Sequence, residues 1–190
     1  AHSSIYGGQG TDTIVLTAAG TISNSFINAN KDNDTINGTG GVTFAASTVR
    51  GGQGIDSINA NQGATGSIIA GDNDVDTITV GGNISDSIVN GNAGDDIMSY
   101  VAGAGATDFT ADTRIFGGSG NDSITSATVA TQTFLSGDAG NDSLTGGTDA
   151  LGDTLNGGAN NDSFDGNAGA DEINVGTGTV SGGLEPSVAD

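Results

Sequence analysis

The chain has 190 residues, with 35 Gly, one Pro, no Cys and 4% aromatic residues, and its 3 Lys+Arg against 23 Asp+Glu give a net charge of −20. Such a polyanion repels phosphate backbones and anionic lipid, so nucleic acid and membrane surfaces are poor partners, and it attracts cations. We expect no nucleic-acid binding and no membrane insertion. Few large side chains are available for a thick core, and the absence of Cys excludes disulfides and thiolate metal sites. No apolar run is long enough to cross a membrane. This composition predicts disorder for the cation-free chain.

An eight-residue, glycine-rich turn recurs along the chain. Aligned copies begin at residues 7, 29, 51, 71, 90, 117, 137 and 157, at steps of 19 to 27 residues. The clearest copies read GGQGTDTI, GGQGIDSI and GGSGNDSI. Two further copies, at residues 146–155 and 166–173, lie about midway between members of the main series. A period of this length predicts stacked repeats.

Three places in this alignment barely vary. The eighth residue is apolar, from Ile14 through Ile97 to Phe164, and so is the residue two before each turn, from Ile5 through Ile88 to Leu155. The sixth residue is always an aspartate: Asp12, Asp34, Asp56, Asp76, Asp95, Asp122, Asp142 and Asp162. Each unit therefore has two short strand segments, one entering and one leaving the turn, whose inward side chains it cannot bury alone.

Stacking these units at the strand spacing of about 4.8 Å predicts an all-β, parallel β-solenoid with coils of about 20 residues. We expect a single array over residues 1–190, with the turns on one edge through residue 136. Residues 137–175 should be two-sided, because Asp153 and Asp171 add turns on the second edge from about residue 146. Residues 176–190 are a fading end. The repeat is already under way at the first residues, so we expect a fragment of a longer protein.

The aligned carboxylates predict a cation between neighbouring coils. Two unit charges about 5 Å apart repel by about 3 kcal/mol at an effective dielectric constant of 20, and the thin core offers little to offset this. The candidate ligands are all oxygens, carboxylate and main-chain carbonyl, and His2 is the one histidine. This excludes most zinc, copper and nickel chemistry, and a flexible oxygen shell favours Ca²⁺ over Mg²⁺. We therefore predict several Ca²⁺ ions stacked between adjacent coils.

The turns, extended by one residue to GGQGTDTIV, GGSGNDSIT or GDAGNDSLT, resemble the RTX (hemolysin-type) calcium-binding nonapeptide GGxGxDxUx. The resemblance implies a right-handed parallel β-roll in which Ca²⁺ is bound through Asp side chains and backbone carbonyls of the turns. It implies side-chain ligands from the sixth-place aspartates and from Asp153 and Asp171. The turn residues that it implies as ligands are Gly8, Gly10, Asp32, Gly52, Gly54, Asp72, Asp74, Gly118, Gly120, Asp138, Gly140, Gly158 and Asn160.

The chain departs from that family pattern in two ways. Family arrays usually carry the nonapeptide on both edges, whereas this chain does so only near its end. Five turn positions also replace glycine with Asn or Asp: Asp32, Asp72, Asp74, Asn90 and Asp138. The carboxylates of the four aspartates are further candidate ligands. The aspartates outside the sixth place are expected to be solvated surface charges: Asp86, Asp108, Asp112, Asp149 and Asp165.

The coil length and the Ala/Ser/Thr-rich connectors resemble the RTX segments of surface-layer proteins of Gram-negative bacteria, cyanobacteria included. The expected function is a calcium-binding structural segment of a secreted cell-surface protein, in a surface layer or extracellular matrix, exported by type I secretion and folding on Ca²⁺ outside the cell. Expected partners are other copies in a lattice or a cell-surface polysaccharide.

Two alternative functions remain. One is the stalk or ligand-binding segment of an RTX adhesin, and the other is the C-terminal calcium-binding tail of a secreted RTX enzyme or toxin. The sequence contains no HExxH or GxSxG motif and no Cys/His pair, so we expect no catalytic activity from these residues.

Overall fold

The computed structural model describes residues 2–17, 19–38, 40–60, 62–101, 113–126 and 132–179. These residues form 21 β-strands and no helix. All of the strand pairs are parallel, and each strand pairs with its counterparts in the coils before and after it. The chain is therefore the predicted parallel β-solenoid. Among these residues, no helix exists that is long and apolar enough to span a membrane.

Two long sheets flank the column of glycine-rich turns. The first sheet holds the strands that enter the turns: β1 (Ser4–Gly8), β4 (Phe26–Lys31), β7 (Thr48–Gln53), β10 (Ile68–Asn73), β13 (Ile88–Ala93), β15 (Arg114–Ser119), β17 (Phe134–Ala139), β19 (Thr154–Ala159) and β21 (Glu172–Asn174). The second sheet holds the strands that leave them: β2 (Thr13–Leu16), β5 (Thr35–Gly38), β8 (Ser57–Ala60), β11 (Thr77–Gly81), β14 (Ile97–Val101), β16 (Ser123–Ser126), β18 (Ser143–Thr145) and β20 (Ser163–Asp165).

A third, four-stranded sheet closes the first four coils, where two strand segments per coil were predicted. It consists of β3 (Gly20–Ser23), β6 (Val42–Ala45), β9 (Gly63–Thr65) and β12 (Asn83–Ser85). Phe44, Ala64 and Ile84 occupy the same register and are buried, so these connectors contribute their own apolar ladder. The prediction was wrong here because the strands are only three or four residues long, too short for alternation to stand out.

The core is a thin stack of apolar ladders running along the solenoid. The first sheet contributes Ile27, Val49, Ile69, Val89, Ile115, Leu135 and Leu155, and the second contributes Ile36, Ile58, Ile78, Met98, Ile124, Leu144 and Phe164. Fully burying such a side chain stabilises the fold by about 1.5–3 kcal/mol, and each does so only between its neighbours above and below. The ladders hold the turns in register at one edge.

The fifth turn begins at Gly91, one residue later than the sequence alignment placed it. Asn92 pairs in register with Gly118, and Met98 with Ile124. Met98 is therefore 1% exposed, whereas Ile97 is 52% exposed. The alignment was wrong because Asp95 and Asp96 are adjacent, as are two pairs of apolar residues, 88–89 and 97–98, so either register fits the pattern. Pairing with the flanking coils decides between them.

Candidate metal site

The sixth-place aspartates form a continuous carboxylate column along the turn edge. In every turn after the first, Oδ1 of the aspartate accepts a hydrogen bond from the backbone N–H of the aspartate one coil earlier, at 2.7–3.0 Å. The members of this carboxylate column are Asp12, Asp34, Asp56, Asp76, Asp96, Asp122, Asp142 and Asp162. The structure thus places seven of the eight predicted aspartates in the column, and Asp96 where Asp95 was predicted.

Asp95 lies at the fifth place of its turn, on the surface. Its Oδ1 accepts the backbone N–H of Asn121 at 2.7 Å, and Oδ1 of Asn121 accepts that of Asn141 at 2.9 Å. Asp95 therefore begins a ladder in which the following turns carry asparagine. Sequence alignment could have separated the two aspartates, because Asn also stands directly before the column aspartate at residues 33, 121, 141 and 161.

The second oxygen of every column aspartate is buried and has no hydrogen-bond donor. This holds for Oδ2 of all eight members within the described residues. An unpaired buried carboxylate oxygen costs more than the usual 1–3 kcal/mol of an unsatisfied polar group, so native proteins rarely keep one, and a row of eight requires a shared physical explanation. A row of cations would satisfy all of them.

The first-place glycines leave a small space beside each of these oxygens. A methyl group on Cα of Gly117 would lie 2.7 Å from the carbonyl oxygen of Gly137 and closer still to Oδ2 of Asp122. The same pair of oxygens borders Gly51 and Gly91. A carboxylate oxygen and a carbonyl oxygen of the next coil thus converge where glycine alone fits. The second coil differs, because Ala29 puts a buried methyl group at this place.

The predicted carbonyl ligands share a left-handed backbone conformation. All have positive φ: Gly8, Gly10, Asp32, Gly52, Gly54, Asp72, Asp74, Gly118, Gly120, Asp138, Gly140, Gly158 and Asn160. Their carbonyls stack from coil to coil, so that a methyl group on Gly54 would lie 2.5 Å from the carbonyl oxygen of Asp32. Whether these residues ligate a cation stays a prediction, but the geometry gives the turn edge closely stacked main-chain oxygens.

Burial raises the pKa values of six column carboxyls, and their negative neighbours add to the effect. The pKa of Asp76 is raised to about 8 and that of Asp122 to about 7. The pKa values of Asp56 and Asp142 are raised to about 6. Burial raises the pKa of Asp34 and Asp96 as well. Without a cation, these six carboxyls therefore keep their protons to a higher pH than free carboxyls do.

The second edge of the solenoid carries hydroxyls where the turn edge carries carboxylates. Oγ of Ser47 accepts the N–H of Ser25 at 3.2 Å, and Oγ of Ser67 and Ser87 accept in the same way at 3.1 Å. The Ser47 hydroxyl also donates to the carbonyl of Ala45 at 3.0 Å. Ser47, Ser67 and Ser87 each accept and donate, so the hydroxyl column is satisfied without an ion at these serines. Further along the column, Oγ1 of Thr113 is buried without a partner. Sequence analysis missed it, although a Ser or Thr two residues before each inward apolar position was its signal.

Asp153 and Asp171 continue the hydroxyl column as carboxylates. Oδ1 of Asp153 accepts from Thr133, and Oδ1 of Asp171 accepts from the N–H of Asp153, each at 2.8 Å. The structure thus brings both to the second edge, as expected. Unlike Oδ2 of the aspartates in the carboxylate column, Oδ2 of Asp153 has a donor, the backbone N–H of Gly147, at 2.7 Å. Burial, the largest cause, raises the pKa of Asp153.

Of the aspartates expected to be solvated, Asp86 and Asp165 are exposed. Asp149 is half-buried, and its Oδ2 is enclosed without a donor, contrary to the expectation of a solvated charge. Asp108 and Asp112 lie outside the described residues. Asp72 is turned outward to Arg50, with Oδ1 2.5 Å from Nη1.

The donor set fits a hard cation bound chiefly by main-chain oxygens. Within the described residues, no three His, Cys, Asp or Glu side chains converge on one point, so a column carboxylate would be supplemented by carbonyls of two coils. His2 hydrogen-bonds the carbonyl of Asn24 at 3.0 Å and does not enter the column. Flexible shells of carboxylate and carbonyl oxygen suit Ca²⁺, whereas zinc prefers nitrogen and sulfur ligands.

The fold and the site together define a parallel β-solenoid protein with stacked, glycine-rich, aspartate-bearing turns. The profile of the RTX calcium-binding nonapeptide repeat matches residues 2–18, 17–44, 46–64, 110–126, 133–150 and 148–179, which is more than half of the chain. The chain belongs to this family, whose repeats bind calcium and whose members are typically secreted. No curated protein and no solved structure matches the chain.

Proposed function

We propose that the chain is a structural, non-catalytic segment of a secreted cell-surface protein that calcium converts from a disordered polyanion into a rigid solenoid. The carboxylate column carries this proposal, because eight buried oxygens lack donors in the described structure. Binding free energy then becomes folding free energy. A calcium-poor cytosol keeps the chain extended for type I export, and calcium outside the cell folds it.

The broad, regular outer faces suit assembly into a surface layer or extracellular matrix. The first sheet presents nine strands and the second presents eight, each in unbroken parallel pairing. A rigid rod with repeated faces offers the same contacts at every coil, which favours periodic packing of many copies. Self-association into a lattice is therefore the partner interaction that we propose, with a cell-surface polysaccharide as the second.

A calcium titration of the purified chain tests the folding step. Starting in excess EDTA at neutral pH, far-UV circular dichroism should change from a coil to a β spectrum in one cooperative transition. Magnesium should act only at much higher concentration, because it demands a tighter, octahedral shell. A β spectrum already present in EDTA at neutral pH would overturn the proposal.

Electron microscopy of the folded chain tests the assembly step. With calcium, ordered two-dimensional arrays should form, and a chelator should dissolve them. If the calcium-folded chain stays monomeric at every protein concentration, the surface-layer assignment fails while calcium-dependent folding stands.

A further inference from the structure

A polar groove crosses four strands of the first sheet beside the carboxylate column, on its outer face. It has a volume of about 450 Å³ and runs from Asn28 and Asn30 over Gly52 and Gln53 to Asn92. Because it crosses β4, β7, β10 and β13, it follows the solenoid axis for three strand spacings, about 14 Å. Its volume lies in the range of small-ligand clefts.

The walls of the groove are side chains at a place where glycine would be less strained. The second residue of the turn is glycine in four coils of the column, with φ from +96° to +122°. In three of the turns that line the groove, this second residue is instead Asn30, Asp72 or Asn92, with φ of +84°, +87° and +76°. A non-glycine residue in this region carries backbone strain, and such outliers cluster where side chains serve a function. Part of the strain at Asn30 and Asn92 is offset locally by Asx turns.

Polar contacts fix the Asp72 carboxylate at the centre of the groove. Its Oδ1 receives Nη1 of Arg50 at 2.5 Å and Nδ2 of Asn92 at 3.2 Å. Oδ2 receives neither of these bonds. The groove therefore presents a pre-oriented acceptor surrounded by amide side chains that both donate and accept. This pattern matches groups that themselves donate and accept, such as vicinal hydroxyls.

Two of the three basic residues of the chain lie at this groove. Lys31 lines it, and Arg50 holds Asp72 within it. Arg50 is neutralised by its partner, and the chain as a whole carries a charge of −20. The field of the molecule repels polyanions, so the groove favours a neutral ligand over an acidic one.

An exposed aromatic ring lies next to the β4 end of the groove, one coil before it. Tyr6 is the register partner of Asn28, and its ring centroid lies 5.8 Å from that of Phe26. Tyr6 is 61% exposed. A sugar ring presents an apolar C–H face and an edge of hydroxyl groups. An aromatic ring can pack against the C–H face, and the neighbouring row of polar side chains can hydrogen-bond the hydroxyl groups.

We infer that this groove binds a neutral polysaccharide strand laid along the solenoid axis, with sugar hydroxyls on Asn30, Asp72 and Asn92 and a ring face on Tyr6. This inference rests on the proposed cell-surface role and gives it a specific ligand site. The groove walls belong to the turns beside the carboxylate column, so binding requires the folded chain.

Affinity electrophoresis of the calcium-folded protein through gels containing dextran, mannan, galactan or polygalacturonate tests the site. Asp72→Gly installs the residue that four other turns use at this place, so the turn backbone accommodates it while the central acceptor is lost. Asp138→Gly makes the same change at the same place of a turn outside the groove, and it is the matched control.

At least one neutral polysaccharide should retard the wild-type protein and the Asp138→Gly variant equally. Asp72→Gly should weaken that retardation by roughly tenfold, the loss expected for charge-assisted hydrogen bonds. The inference is overturned if no neutral polysaccharide retards the folded protein, if polygalacturonate alone does, or if both variants lose binding equally. Circular dichroism of the same samples reports folding separately, so failure of calcium-dependent folding is distinguishable from failure of the groove.

Discussion

Asp95 and Asp96 are adjacent acidic residues in opposite surroundings. Asp96 is buried in the carboxylate column with an unpaired Oδ2, whereas Asp95 is exposed and accepts a hydrogen bond from Asn121. The pair separates the contribution of a column carboxylate from that of a surface charge, because substitution of either residue removes the same charge.

Asp96→Asn should have effects of opposite sign with and without calcium. In calcium it removes a charged candidate ligand, so the midpoint of the calcium-induced transition should move to severalfold higher calcium. In EDTA it removes a carboxyl whose pKa burial has raised, so the cation-free fold should become more stable. Circular dichroism titrations with calcium and with urea measure both effects.

Asp95→Asn is the control, since Asn occupies the same fifth place at residue 121 and makes the equivalent ladder bond. It should leave the calcium midpoint nearly unchanged. Equal shifts for the two variants would show that the column register is not the one that the structure assigns.

For individual residues, the sequence predicted the type of side chain at the metal site better than its exact position in the chain. An Asp at the sixth place of each turn was evident, and seven of the eight positions lie in the column. The eighth failed because two adjacent aspartates satisfy the same motif, and hydrogen bonding between coils identifies Asp96 as the column member. The lack of a hydrogen-bond donor at each Oδ2 atom could not be predicted from the sequence, because it depends on which donors lie nearby in the folded structure.

A single coil has no core of its own, so each of its strands depends on its neighbours. Met98 in β14 packs between the ladder positions above and below it, and Ile97 beside it faces solvent. The period of two in a strand makes a shift of one residue exchange the buried and exposed faces.

Met98→Ala should destabilise the calcium-bound fold by about 2–5 kcal/mol, because it leaves a cavity in a fully packed ladder. Ile97→Ala removes an exposed side chain and should change stability by about 0.5 kcal/mol or less. Urea midpoints in saturating calcium compare the two variants. A larger loss of stability for Ile97→Ala than for Met98→Ala would support the register that the sequence alignment suggested.

The elements were predictable where long-range repetition amplified a weak local signal. Strands before and after the turn were expected because their apolar residues recur eight times. The third sheet was missed because its residues, such as Ala64 and Ile84, differ from coil to coil and occur in only four coils. Its existence follows from closing a coil of 20 to 22 residues around a core, which is a tertiary requirement.

Electrostatic repulsion in the folded molecule is concentrated along the turn edge. Carboxylates dominate there, and the hydroxyl column on the other edge satisfies itself from Ser25 to Ser87. The carboxylate oxygens without donors therefore lie chiefly at the turn edge, while Asp153 and Asp171 add carboxylates to the far end of the other edge. Any agent that neutralises the carboxylate column should substitute for calcium in part.

Protons are such an agent, so the cation-free chain should gain β structure as the pH falls. The ordinary pKa of these carboxyls is 3.8, and in the fold it is raised to about 6 for Asp56, 7 for Asp122 and 8 for Asp76. Between about pH 4 and pH 8 the folded chain holds more protons than the unfolded one. Stability in EDTA therefore falls as the pH rises through this window and is greatest near its acid end.

Circular dichroism in EDTA between pH 4 and pH 8.5 measures this dependence. Calcium binding should also release protons, most near neutral pH, and a pH-stat detects them. A cation-free chain that is equally disordered at pH 4 and pH 8, or more ordered at pH 8, would contradict the assigned pKa shifts.

The connection between β14 and β15 adds six residues to the length of a 20-residue coil without altering the pairing on either side. Val89 remains opposite Ile115 and Met98 opposite Ile124. The register of the solenoid is therefore independent of the chain length between β14 and β15. A peptide inserted between these two strands should therefore leave the pairing of the flanking coils unchanged. In an assembled layer, that position would become a regular two-dimensional pattern of the inserted peptide.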